Sequence, residues 1–178
     1  TISGLGLTLP NSTSSIGSYA FGLFYMPMGT TLGWSRTTIS VALTLRAFLG
    51  MIMGPVLGPI VDKKHGAVVL MVVGGALAGA SLMLISRITE LWQFYVLFGV
   101  GYGVANAAMG LEVVNSTIIS KWFVRKRGRA LAISVMGTSA GGVVFIPIVS
   151  LIITNYGWRE AWLALGIIVF ALVVPLSA

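Results

Sequence analysis

Long apolar stretches alternate with short polar connections along the whole chain of 178 residues. A helix needs about 20 apolar residues to cross the hydrocarbon core of a bilayer. On that criterion the pattern predicts spanning helices over residues 4–28, 38–61, 67–86, 91–118, 130–153 and 160–177. The connections are 29–37, 62–66, 87–90, 120–129 and 154–159. Connections this short make successive helices antiparallel neighbours. The expected fold is therefore all-α, a single six-helix transmembrane bundle over residues 1–178.

Composition agrees. Hydrophobic residues make up 57% of the chain, charged residues 8%, and the mean hydropathy is +0.99. A soluble domain carries about a quarter charged residues because its surface faces water, so the lipid bilayer is the expected solvent here. Cysteine is absent, which removes disulfide and thiolate chemistry. The net charge of +7 does not point to nucleic acid, because the basic residues sit in the connections. The second and fourth carry Lys63, Lys64, Lys121, Arg125, Lys126, Arg127 and Arg129, while the other three carry Arg36, Arg87 and Arg159. The positive-inside rule then puts the N-terminus in the cytoplasm of a multi-pass cell-membrane protein. Trp34, Trp92, Trp122, Trp158 and Trp162 lie near helix ends and suit the interfacial belts. The chain begins at Thr1 and stops at Ala178 in or just after an apolar run, so it is expected to be a fragment of a longer protein.

Small residues mark helix contacts. Gly50, Gly54 and Gly58 repeat every four residues in the second span, Gly99, Gly103, Ala107 and Gly110 in the fourth, and Gly137 and Gly141 in the fifth. Such stripes let another backbone approach closely. The run Gly99–Gly103 lies inside an apolar helix rather than after a strand, so packing accounts for it better than nucleotide binding. Two sequons, at Asn11 and Asn115, fall at membrane depth and are discounted. Pro59-Ile60-Val61 in span two has a counterpart in Pro147-Ile148-Val149 in span five. A three-helix unit repeated across an odd number of crossings must be inverted, so two inverted three-helix repeats are expected.

No catalytic or metal constellation is visible. His65 is the one histidine, in a basic turn, and the carboxylates are Asp62, Glu90, Glu112 and Glu160. An enzyme is not expected, nor a cofactor. The first span carries Ser15, Ser18, Gly22 and Tyr25 within about 40° of Asn11 on either side on a helical wheel. Such a polar stripe either glues helices together or lines a water-filled path. Tyr102 and Asn106 are stacked one turn apart in span four and admit the same two readings. Arg46 and Glu112 stand at membrane depth, where a charge costs at least about 2.5 kcal/mol and a functional role is the default hypothesis. For Arg46 the alternative is snorkelling or capping of nearby carbonyls. For Glu112 it is a buried bond to Asn115 or Ser116 instead of proton coupling.

Four elements resemble the major facilitator superfamily, and in particular its monocarboxylate and oxalate–formate exchanger-like branch. The stretch Gly58-Pro59-Ile60-Val61-Asp62-Lys63-Lys64-His65-Gly66 resembles the signature G-x-x-x-D-[RK]-x-G, with one extra residue between Asp62 and Gly66. Gly33-Trp34-Ser35-Arg36 looks like the branch's G-W-S-R. Residues 122–132, from Trp122 to Ala132, are similar to its W-F-x-x-[RK]-R-G-x-A-L run. Gly157-Trp158-Arg159-Glu160-Ala161-Trp162 resembles its G-W-R-x-A-[FW] element. The resemblance implies the N-terminal six-helix half of a twelve-helix transporter working by alternating access. It further implies that spans one and four line the path and that Gly58, Asp62, Lys63 and Gly66 form a cytoplasmic gating motif. Ala67 and Val68 replace the usual basic pair, and span one lacks the lysine found in some monocarboxylate carriers.

The expectation is a secondary active transporter of a small organic anion such as a monocarboxylate, with a coupled proton or an exchanged anion. Its partners would be the solute, the bilayer and a missing C-terminal six-helix half or a second copy. The alternative is a non-transporting structural or accessory membrane subunit.

Overall fold

The computed structural model describes residues 21–61, 63, 66–109 and 127–177, and these form helices joined by short turns, with no strand among them. Helix α1 is Phe21–Leu32, α2 Arg36–Val61 and α3 Gly66–Ile85. Helix α4 is composite: an α-turn Leu91–Phe94, a π-helical stretch Tyr95–Tyr102 and a further α-segment Gly103–Met109. Helices α5, Arg127–Tyr156, and α6, Trp158–Ser177, complete the order. Each expected span has a helix at its place, within four residues at every described boundary; the start of the first and the end of the fourth lie outside the described residues. By length and composition Arg36–Ile60 and Val68–Ile85 are long and apolar enough to cross a membrane.

Two helix stops have the same local cause. Gly33 (φ 71°) and Gly157 (φ 91°) are the described residues with positive φ, a conformation that strains any residue carrying a Cβ. Each closes the preceding helix, Gly33 N–H donating to Gly29 O and Gly157 N–H to Ile153 O, both at 3.0 Å. Ser35 then caps α2, its Oγ accepting from Thr38 N–H at 3.1 Å. The turn from α2 to α3 depends on Gly66: a Cβ there would fall on the Ile60 carbonyl.

Helix α3 packs most extensively against α6, and also along α4. At the α3–α6 crossing a Cβ on Gly79 would lie 2.8 Å from Phe170 Cβ and 3.0 Å from Gly166 O. A Cβ on Gly166 would meet Gly79 O at 2.9 Å, so the two backbones are in direct contact. Gly74 plays the same part toward α4, where a Cβ would stand 2.9 Å from Ala105 O. Helix α4 in turn lies against α2 through Gly99 and Gly103. Around these crossings lies an aromatic core of Phe21, Phe24, Phe94, Phe98, Tyr102 and Trp162. Several threonine and serine hydroxyls are satisfied within their own helix, as with Thr31 Oγ1, which donates to Pro27 O at 2.7 Å.

Two expectations need correction, and a third finds no partner among the described residues. The Gly50–Gly54–Gly58 stripe meets no neighbour among the described residues: a Cβ at any of the three would have nothing within 4 Å. Trp158 and Trp162 are not interfacial; Trp162 is 1% exposed, its ring stacked on Phe24 at 4.1 Å. The positive-φ turn at Gly157 leads α6 directly into the core, so its first-turn aromatics face protein. Trp92, at 63% exposure, does match the belt reading. The fourth span is also not a uniform α-helix, since its middle is π-wound.

Candidate functional site

Helix α2 carries Arg46 ten residues from its start, about 15 Å along the axis at 1.5 Å per residue. It is the one charged residue more than three positions from a helix end among the described residues. Its guanidinium lies over the ring of Tyr102 on α4, 5.3 Å from the centroid. Glycines make this meeting possible. A Cβ on Gly103 would stand 3.3 Å from Arg46 Cα, and one on Gly99 would press on Leu45 Cδ2 at 2.6 Å. Larger residues there would push α2 away and withdraw the cation from the ring. A cation over an aromatic face gains about 0.5–2 kcal/mol, the upper end when desolvated. That offsets part of the cost of a charge at this depth and fixes where the charge stands.

Tyr102 also stacks on Phe98 at 5.4 Å, which in turn stacks on Phe94 at 5.4 Å. These rings rise along the π-helical stretch, a rare winding that is often found at functional sites. Phe21 of α1 joins the column at Phe98, with centroids 4.7 Å apart, and meets Tyr25 edge-on at 5.2 Å. The two predicted tyrosines are thus linked through Phe21 and Phe98. Tyr25 is half-buried, and its hydroxyl forms a 3.0 Å hydrogen bond with Ser40 Oγ on α2. Tyr95 ties α4 to α2 a second time, donating to Thr38 O at 2.9 Å.

Asn106 follows Tyr102 by four residues and is half-buried. Its Oδ1 and the Trp162 Nε1 are buried with no hydrogen-bond partner among the described residues. A buried polar atom left so costs about 1–3 kcal/mol, and it can take water or a polar solute instead.

The structure therefore brings Tyr102, Asn106 and Arg46 together and joins Tyr25 to them through rings. Asn11, Ser15, Ser18, Asp62 and Glu112 lie outside the described residues. Of the proposed gating motif, Lys63 is exposed and its carbonyl accepts from Gly66 N–H at 3.0 Å, while Gly58 packs on nothing described. Sequence reasoning missed the Arg46–Tyr102 pair, although both residues were singled out. They are 56 positions apart, and no local spacing relates them. It also missed Trp162 Nε1 and the contact glycines Gly74, Gly79 and Gly166.

Comparison with known proteins gives a family match. The model of the Major Facilitator Superfamily matches residues 9–178. An MFS-type transporter, pynF, of Aspergillus niger is 34% identical over 158 residues, which cover 88% of this chain and 36% of the relative. A second, pytF, of Aspergillus terreus is 33% identical over the same length and 52% of it is covered. A human protein named monocarboxylate transporter 12 is 32% identical over 110 residues, 62% of this chain and 21% of that one. The chain spans about a third to a half of the first two relatives.

Proposed function

The chain belongs to the major facilitator superfamily, a family of membrane transporters, and we propose that it is the N-terminal six-helix half of a secondary active carrier for a small organic anion such as a monocarboxylate. The carrier works by alternating access, its two inverted three-helix repeats facing a second six-helix bundle across the solute path. The observation that carries the reading is Arg46, held at mid-helix on the Tyr102 ring. A fixed cation in an apolar bundle provides a counter-charge for a carboxylate, and a planar guanidinium can take both carboxylate oxygens at once. Asn106, with an unfilled acceptor one turn away, is suited to a hydroxyl or a bound water of the same solute. Asn11, Ser15 and Ser18 extend this path on the first helix, and Tyr25 closes its wall. Glu112 is the carrier's proton-coupling or hydrogen-bonding carboxylate. Gly58, Asp62, Lys63 and Gly66 latch the cytoplasmic side. The charge asymmetry of the connections supports a cytoplasmic N-terminus in the cell membrane.

Counterflow of labelled monocarboxylates in proteoliposomes holding the full-length protein tests the proposal. Arg46→Gln should lower exchange at least tenfold, a loss of about 1.4 kcal/mol or more, with Arg46→Lys retaining part of the rate. Asn106→Leu should impair exchange less. Exchange by Arg46→Gln at the unmodified rate would refute the anion assignment. Absence of flux for every solute class would favour a non-transporting membrane subunit.

A further inference from the structure

Arg87 stands on the turn between α3 and α4, its main-chain N–H donating to Leu84 O at 3.0 Å. Its side chain is exposed and makes no ion pair or hydrogen bond among the described residues. The neighbouring cation behaves differently: Arg159 donates to Ile88 O at 3.3 Å and lies over the Trp158 ring at 5.1 Å. Arg87 is therefore a cation at this end of the bundle whose side chain has no partner among the described residues.

Two grooves open beside it. One, of 270 Å³, lies toward α4, with walls formed by Leu84, Ile88, Trp92 and Val96 as well as Arg87. The other, of 330 Å³, lies toward α6, between Met83 and Leu84 on one side and Leu163 and Ile167 on the other, and again includes Arg87. Leu84, an exposed leucine, is the ridge shared by both. Gln93 borders the first groove but its Oε1 already accepts from Thr89 N–H at 3.1 Å and from Glu90 N–H at 3.3 Å. Each groove is thus an apolar channel with one cation at its head.

We propose that Arg87 and these grooves bind a membrane phospholipid, with the phosphodiester on the guanidinium and one acyl chain in each groove. The depth is right for such a ligand. The apolar run of α3 ends at Ile85, which puts Arg87 where headgroups begin, and Trp92 beside it is of the type that anchors at that level. Arginine's planar fork matches two phosphate oxygens. A single charge flanked by two apolar channels is the shape complement of one headgroup with two tails. A small soluble anion would gain the charge but leave both channels empty.

The site is separate from Arg46 and its test needs no transport. Full-length protein, delipidated in detergent, is titrated with dioleoyl phosphatidylglycerol and read by native mass spectrometry. The unmodified protein should retain a first lipid that Arg87→Gln binds roughly fivefold to tenfold more weakly, the effect of losing one interfacial cation. Arg87→Lys should bind nearly as well. Leu84→Trp, which blocks both grooves while keeping the cation, should weaken the first lipid to a similar degree. Its melting temperature in detergent serves as the folding control. Glycerophosphate, the headgroup without tails, should not displace the lipid. Equal lipid retention by Arg87→Gln and the unmodified protein overturns the proposal. So does displacement by glycerophosphate at matched concentration, which would leave a bare anion site.

Discussion

Helices α2 and α4 both carry glycines at four-residue spacing, and they put them to opposite use. On α4, Gly99 and Gly103 lie against α2 so closely that an added Cβ would meet Leu45 or the Arg46 backbone. On α2, Gly50, Gly54 and Gly58 meet nothing described, and around them Phe48, Met51, Ile52 and Val56 are exposed. The same spacing thus serves a closed contact on one helix and an open face on the other. The closed contact positions Arg46, the one mid-helix cation among the described residues. The open face is free for lipid or for the second bundle of the proposed carrier. A small-residue stripe records that close approach is permitted, not that it occurs.

The contrast can be broken at its tightest point first. Gly166→Leu should be the most damaging change, because its Cβ would meet main-chain atoms of α3 within 3 Å, at Met83 N and Gly79 O. Backbone cannot give way as a side chain can, so a cost of about 3 kcal/mol or more is expected. Thermal unfolding of the purified full-length protein in detergent should show a large fall in Tm or loss of the folded fraction. An unchanged Tm would mean that α3 and α6 do not cross there.

Gly99→Ala comes next. Its obstacle is Leu45 Cδ2, the far end of a flexible side chain, so about 1–2 kcal/mol is expected. The same variant should weaken solute affinity, because moving Leu45 moves its neighbour Arg46. A stability loss with unaltered affinity would separate the packing role of α4 from the site. Gly54→Ala should be the mildest, within about 1 kcal/mol in either direction, since alanine is the better helix former and nothing described opposes its methyl. A loss as large as that at Gly166 would place another backbone against α2, and the second bundle would be its source.

Much of the architecture was legible along the chain. The apolar runs set the helix positions, while Gly33 and Gly157 stood out in their Gly-Trp elements but their role as positive-φ stops came from the structure. Arg46 stood out because few charges occur in these runs. Trp162 was misread for a physical reason. Near a helix end, a tryptophan that faces lipid headgroups and one that turns into the core have the same sequence neighbours. The π-helical stretch Tyr95–Tyr102 was equally hidden, since its glycines and aromatics fit an α-helix as well.

By itself the sequence determined that this chain is a set of apolar helices, roughly where the described ones lie, and which charges are too costly to be incidental. Those properties follow from transfer free energies and local backbone geometry, which act residue by residue. Only the tertiary structure decided which faces meet. In a soluble helix the polar side marks the outside, but a helix in lipid is apolar all round, and no period distinguishes a buried stripe from an exposed one. Gly79 against Gly166, and Arg46 on the ring of Tyr102, join residues more than fifty positions apart. Such contacts are fixed by how the helix surfaces interlock, a property of pairs of helices that neither helix carries alone.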